Sequence, residues 1–141
     1  MTSKTITQLS IFISNEPGRL AGVMRTIKAS GIFIKAFNLS ESAEFGILRA
    51  VVDDPESAYE KLRNEGVIVR KTEIIAVSIP DAADSFYSAA EALGKEGVNI
   101  EYGYFYSGEK GSVMFFRVDD TGKAERILEG AGIRLLDDGE F

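Results

Sequence analysis

The chain repeats itself. Gly31 and Gly97 each close an apolar run of helical spacing and open a strand-like run, and they stand 66 positions apart. At that offset Ile13 falls on Ile79, Ile34 on Ile100, Val52-Asp53-Asp54 on Val118-Asp119-Asp120, Ala58 on Ala124, Leu62 on Leu128 and Gly66 on Gly132. No gap is needed between Leu9 and Arg70. An ungapped register that carries a whole Val-Asp-Asp triplet marks a duplication. Duplication constrains the fold strongly: whatever one half forms the other forms too, and each half, at about 66 residues, is near the small end of what folds alone. The two halves are therefore expected to share an interface.

The hydrophobic periods say what each half forms. Thr5–Ser14 alternates, with Leu9, Ile11 and Ile13 on one face, which predicts a half-buried strand. Leu20, Val23, Met24 and Ile27 follow at helical spacing, and Gly31 stands where the residue after a helix C-cap belongs. Residues 32–40 and 46–52 predict two more strands, joined by a turn over 41–45. Asp54-Pro55 then offers an N-cap followed by proline at the first helical position, where its missing N–H costs nothing. Ala58, Tyr59 and Leu62 make the inner stripe of that second helix, Gly66 ends it, and Val67–Val69 is a short fourth strand. The order is βαββαβ, twice. The fold class is α+β: two ferredoxin-like units, over residues 1–71 and 72–141, each an antiparallel sheet with two helices on one face.

The junction between the copies poses a geometric problem. Only Arg70–Thr72 separates the fourth strand of the first copy from the expected first strand of the second, Glu73–Ile79. If the two units lay side by side through their second strands, those ends would be about 29 Å apart at ~4.8 Å per strand. Three extended residues reach far less than that. Either the fourth strands are exchanged, with Val67–Val69 pairing with Glu73–Ile79 as a hairpin, or the side-by-side contact is made between chains.

Composition narrows the chemistry. Among 141 residues there is no cysteine and no histidine, and the net charge is −6. No disulfide, thiolate metal site or cysteine nucleophile is available, and the commonest general base near neutral pH is missing. The chain is accordingly expected to be no enzyme and to need no metal or cofactor. An acidic balance lacks the basic footprint that nucleic acid or an anionic membrane surface requires, so neither is expected as a partner. The start, MTSKTITQLS, has no apolar core of a signal peptide, and no apolar run approaches the ~18 residues of a membrane span, from which a soluble cytoplasmic protein is expected.

The stretch carrying the sharpest chemistry is Ser14 to Leu20, SNEPGRL, between the first strand and the first helix. Pro17 is expected in the first turn of the helix, and Gly18 has no Cβ, so that a ligand can approach the main chain. Free N–H groups at a helix start, with the positive end of its dipole, form a cradle for a carboxylate or phosphate. Asn15 adds an amide suited to a zwitterion. Arg19 can pair with a ligand carboxylate, although an exposed arginine or a Glu16 in such a place is as well explained by solvation.

In its setting the loop resembles a known family. A βαββαβ unit with NEPGRLAGV after the first strand and ASGIFIKAF leading into the second is similar to the ACT domain, a small regulatory module that senses amino acids. GKEGVNIEY in the second copy resembles that family's second-strand opening, with Asn99 in the place of a ligand-contacting asparagine. The resemblance runs from Leu9 to Leu136, as a free-standing pair similar to the regulatory domain of phosphoglycerate dehydrogenase and to the acetolactate synthase small subunit. It implies a free amino acid held where the first loop of one unit meets the second strand of its neighbour. The first copy supplies the matching loop (Asn15, Glu16, Pro17, Gly18, Arg19, Leu20) and the second the matching strand (Asn99, Ile100). The carboxylate is expected on the N–H groups of Gly18 to Leu20, the ammonium near Asn15 and Asn99, and the side chain against Leu20 and Ile100. The reciprocal pair departs from the pattern: Asp81, Ala83 and Asp84 stand for Asn15, Pro17 and Gly18, and Phe33 stands for Asn99. One competent site per pair of units follows, since two aspartates repel a carboxylate.

Other features read more plainly. Asp53-Asp54 and Asp119-Asp120 are expected to cap the following helices rather than to do acid–base work. Tyr102, Tyr104 and Tyr106 either fill a sheet face or line a strand meeting another unit. The tail, DDGEF, is expected to fray. The functional expectation is a non-catalytic amino-acid-binding regulatory protein, dimeric, that passes binding to a partner enzyme or regulator. The alternative is a structural accessory subunit of an amino-acid biosynthetic enzyme with a vestigial pocket.

Overall fold

The computed structural model describes residues 4–41 and 44–141. The chain runs β1 (Thr5–Ser14), α1 (Arg19–Ala29), β2 (Ile34–Glu41), β3 (Phe45–Val52), α2 (Pro55–Asn64), β4 (Ile68–Ser78), α3 (Ala82–Lys95), β5 (Ile100–Gly108), β6 (Gly111–Val118), α4 (Thr121–Gly130) and β7 (Leu135–Leu136). The turn expected over 41–45 contains residues 42–43, which lie outside the described residues. Among the described residues two compact units form: one within Thr7–Thr72, and Glu73–Phe141 together with residues 4–6. In the first the strand order is β2-β3-β1-β4, and in the second β5-β6-β4-β7. Both are the same order of a βαββαβ unit, with β3 antiparallel to β1 and β2, and β6 antiparallel to β4 and β5.

The cores repeat residue by residue. In the first unit Leu9, Ile11, Ile13, Ile27, Leu48, Ala50, Val52, Ala58, Leu62 and Val69 pack together. In the second, Ile75, Val77, Ile79, Leu93, Phe116, Val118, Ala124, Leu128 and Leu135 take the same places, with Met114 packed alongside. Alternation along the strands and helical spacing put these apolar groups on the inner faces, and their removal from water drives each unit to close. The spacing also fixes the ends of the helices. Asp54 Oδ1 accepts the Ser57 N–H at 3.1 Å with Pro55 in the first helical position, and Asp120 Oδ1 accepts the Lys123 N–H at 3.0 Å. These aspartates are caps, as the sequence suggests. Gly31, Gly66, Gly97 and Gly132 follow the four helices at φ 70, 79, 75 and 76°, a conformation that glycine adopts without a Cβ penalty.

Three expectations are corrected. Of the two alternatives for the junction, the exchanged hairpin does not form, because β4 is a single strand from Ile68 to Ser78 and Arg70–Thr72 are part of it rather than a connection. Its first residues lie beside β1, where Ser10 Oγ and Thr72 Oγ1 are 2.9 Å apart and the buried Gln8 Nε2 donates to Ser10 Oγ at 3.0 Å. Its later residues pair with β6, and Ala76 and Val77 pair with Leu136 and Leu135 of β7. One strand thus ends the first copy and begins the second. This dissolves the distance problem, since no connection has to be spanned. Second, Pro17 is not in the first turn of α1: the N-cap is Gly18, so the proline precedes the helix. Third, the tail is docked. Arg134 Nη2 donates to Glu140 Oε2 at 2.8 Å, Lys110 Nζ donates to the Gly139 carbonyl at 3.0 Å, and the Phe141 ring sits edge-on to Phe115 with centroids 5.2 Å apart. Tyr104, 7% exposed, and Tyr106 also pack on Phe115, so these tyrosines fill a sheet face while Phe105 beside them stays exposed.

Candidate functional site

Four helix starts can be compared, and one is unlike the rest. Asp54, Asp81 and Asp120 cap α2, α3 and α4 with their own carboxylates. Gly18 caps α1 with no side-chain hydrogen bond, and no acidic residue occupies the first turn of that helix. Gly18 is at φ 86°, and nothing lies within 4 Å of where a Cβ would stand. Within the loop the Glu16 N–H donates to the Ser14 carbonyl at 2.8 Å, the Arg19 N–H to the Glu16 carbonyl at 3.2 Å, and the Asn15 N–H to the Glu44 carbonyl at 3.2 Å. The N–H groups of Gly18, Leu20 and Ala21 have no acceptor among the described residues. Of the amides expected to seat a carboxylate, that of Arg19 is therefore already engaged, and Ala21 adds a free one.

The loop opens into a cleft of about 270 Å³ within the first unit, walled by Asn15, Glu16, Leu20, Leu39, Glu41 and Gly46. Asn15 Nδ2 donates to Glu41 Oε1 at 3.3 Å, and Arg19 Nε pairs with Glu16 Oε2 at 2.9 Å. Both partners of that ion pair are more than half exposed, so it contributes about 0–1 kcal/mol and leaves the arginine available. The cleft thus sets the positive end of α1 against the carboxylate of Glu41, with Leu20 and Leu39 as apolar walls. Sequence reasoning missed Leu39, Glu41 and Gly46. The signal was present in Gly46, a glycine inside a strand pattern, which marks close approach. Pairing of Gly46 with both Ile13 and Glu41 brings these residues to the loop. A larger and mainly apolar groove of about 450 Å³ lies beside the same loop, lined by Phe12, Gly18, Gly22, Val23, Phe45 and Ile68 among others.

Asn99 and Ile100 are in the second unit, before and at the start of β5. The Asn99 N–H donates to Asp119 Oδ1 at 3.1 Å, and its carbonyl accepts the Asp119 N–H at 3.2 Å. The backbone of Asn99 is thereby fixed, and its residue is exposed. In the same unit Asp81 Oδ1 accepts the Asp84 N–H at 3.1 Å, so the counterpart helix start closes on itself. Among the described residues no group of three or more carboxylates is placed to hold a metal ion, and no helix is long and apolar enough to cross a membrane.

The architecture is that of a duplicated βαββαβ domain pair, with one uncapped helix start beside a cleft. The family profile described as an ACT domain pair matches residues 4–140, and the chain belongs to that family. In solved structures it is similar to protein BT0572 from Bacteroides thetaiotaomicron, at 30% identity and a TM-score of 0.89, over 98% of this chain and 96% of that one. It is also similar in fold to the ligand-free regulatory subunit of aspartate kinase from Thermus thermophilus, at 18% identity and a TM-score of 0.57, over 89% and 91% of the two chains. Aspartate kinase from Clostridium acetobutylicum aligns at 16% identity and a TM-score of 0.53, over 89% of this chain and 32% of that one. No curated protein matches the sequence.

Proposed function

We propose that this chain is a non-catalytic, cytoplasmic regulatory protein that binds a free amino acid at the Asn15–Leu20 loop and passes the event to a partner enzyme or regulator. The observation that carries the reading is the uncapped start of α1, open to a cleft with Glu41 across from it. The α-carboxylate sits on the N–H groups of Leu20 and Ala21, where the helix dipole favours negative charge. The ammonium sits by Asn15 and Glu41, and the side chain lies between Leu20 and Leu39. Asn99 and Ile100 are proposed to complete the site as the resemblance implies. A regulator of this kind works by binding one packing or assembly of the protein better than another, and the coupling to its partner is reciprocal.

A thermal-shift screen of the twenty amino acids tests the reading: a concentration-dependent rise in Tm is expected for at least one of them. Calorimetry on Gly46→Val, which fills the cleft, and on Asn99→Ala then separates the parts. Loss with the first variant alone removes Asn99 from the site; no rise with any amino acid removes the reading. A second reading, an accessory subunit that binds a partner through an apolar surface, is favoured by Phe33, just before β2, and Phe37 on that edge strand, which are 63 and 64% exposed. It predicts no amino-acid response. A homodimer built on the same surface is expected under the first reading, and sedimentation measures it.

A further inference from the structure

The second unit has a groove of about 380 Å³ between the start of α3 and the turn before β7, lined by Ser78, Asp84, Ser85, Ser88, Ile133 and Arg134. Each of these stands 66 positions after a residue of the apolar groove in the first unit: Phe12, Gly18, Arg19, Gly22, Val67 and Ile68. The strands and the body of the helix correspond in the two units, whereas α3 begins three residues earlier in the repeat register than α1, so Asp84 stands in helix where Gly18 stands in a turn. A phenyl ring has become a hydroxyl, two glycines a carboxylate and a hydroxyl, and an isoleucine a guanidinium.

We propose that this groove is a second binding site, for a small zwitterion whose carboxylate lies on Arg134 and whose ammonium lies on Asp84. Among the described residues the Asp84 carboxylate and the Ser88 hydroxyl have no protein partner, and Asp84 is not paired with Arg134. Arg134 carries five N–H donors in a planar fork that matches a carboxylate, and its Nη2 is held by Glu140 at 2.8 Å. That pair is 68% exposed on the arginine side, hence weak, and an incoming carboxylate competes with Glu140 for the fork. Binding therefore reports on the tail, where Phe141 packs against Phe115 and Tyr106. The Ser88 hydroxyl supplies a further donor and acceptor along the groove, while the Ser85 oxygen already accepts the Asp81 N–H at 3.3 Å and leaves its O–H to donate. This site is separate from the Asn15 loop and stands or falls without it.

Amide NMR on the full chain tests it, with each of the twenty amino acids titrated to millimolar concentration. For at least one, saturable shifts are expected at Ser85 and Ser88, accompanied with the same midpoint by shifts at Glu140 and Phe141. Arg134→Gln and Asp84→Asn, both at exposed positions, each weaken that binding roughly tenfold, the loss of one charge-assisted contact. Shifts that persist unchanged in Arg134→Gln, or no response at Ser85 and Ser88 to any amino acid, overturn the proposal. Shifts confined to Asn15–Leu20 overturn it while supporting the first site, and the reverse pattern separates the two in the other direction.

Discussion

The start of α1 and the start of α3 are the same place in two copies, and they differ by one helical turn. α3 begins at Ala82 with Asp81 as its cap, whereas α1 begins at Arg19, three residues later in the repeat register, with Gly18 as its cap. In the second copy the chain folds into helix at once and satisfies its own amides. In the first, Pro17 cannot follow Glu16 into helix without restricting it, and Gly18 at φ 86° turns the chain, so the missing turn becomes an open loop. The difference teaches that the duplication preserved the cores and spent its divergence where backbone donors meet solvent.

Core truncation is the largest expected effect and tests the equivalence. Leu62→Ala and Leu128→Ala, at 1% and 0% exposure, are each expected to cost about 2–5 kcal/mol in denaturant unfolding. Costs that differ widely between the two would break the claim that the cores are copies. Next, Gly18→Val forces a branched residue into left-handed backbone and is expected to cost about 1–2 kcal/mol. Under the proposed function it also abolishes amino-acid binding measured by calorimetry. Asp81→Ala removes a cap worth about 1 kcal/mol, while Asn15→Ala at the matching position should change stability by less than about 0.5 kcal/mol. Equal losses in thermal melts would show that Asn15 caps α1 in solution.

The smallest effect concerns the tail. The hydrogen bond from the Asp137 N–H, and after it the one from Arg134, hold the Glu140 carboxyl below the ordinary glutamate value of 4.5. Because the folded value is the lower one, the contact contributes fully above the unfolded value and fades as pH falls through the folded one. Phe141 resonances in an NMR titration should therefore stay constant at neutral pH and move only below about 4.5. Movement near neutrality would show that Glu140 does not hold the tail.

Much of this was legible in the chain itself. Alternation in Thr5–Ser14, helical spacing at Val23 and Ile27, the Asp54-Pro55 cap and the glycines after each helix are local signals, decided within one or two turns of backbone. The loop at Asn15 was legible for the same reason. Glu41 and Gly46 were not, because they reach that loop only through β2–β3–β1 pairing, which no window of sequence contains.

By itself the sequence determined two βαββαβ units, their caps and the one loop that departs from the duplication, since each depends on side-chain period and on φ preferences of single residues. Only the tertiary structure decided that β4 is one strand serving both copies, that the tail docks through Arg134 and Phe141, and that Glu41 faces an uncapped helix. Those outcomes depend on which distant groups find each other, and a strand's partners are chosen by the rest of the sheet rather than by the strand.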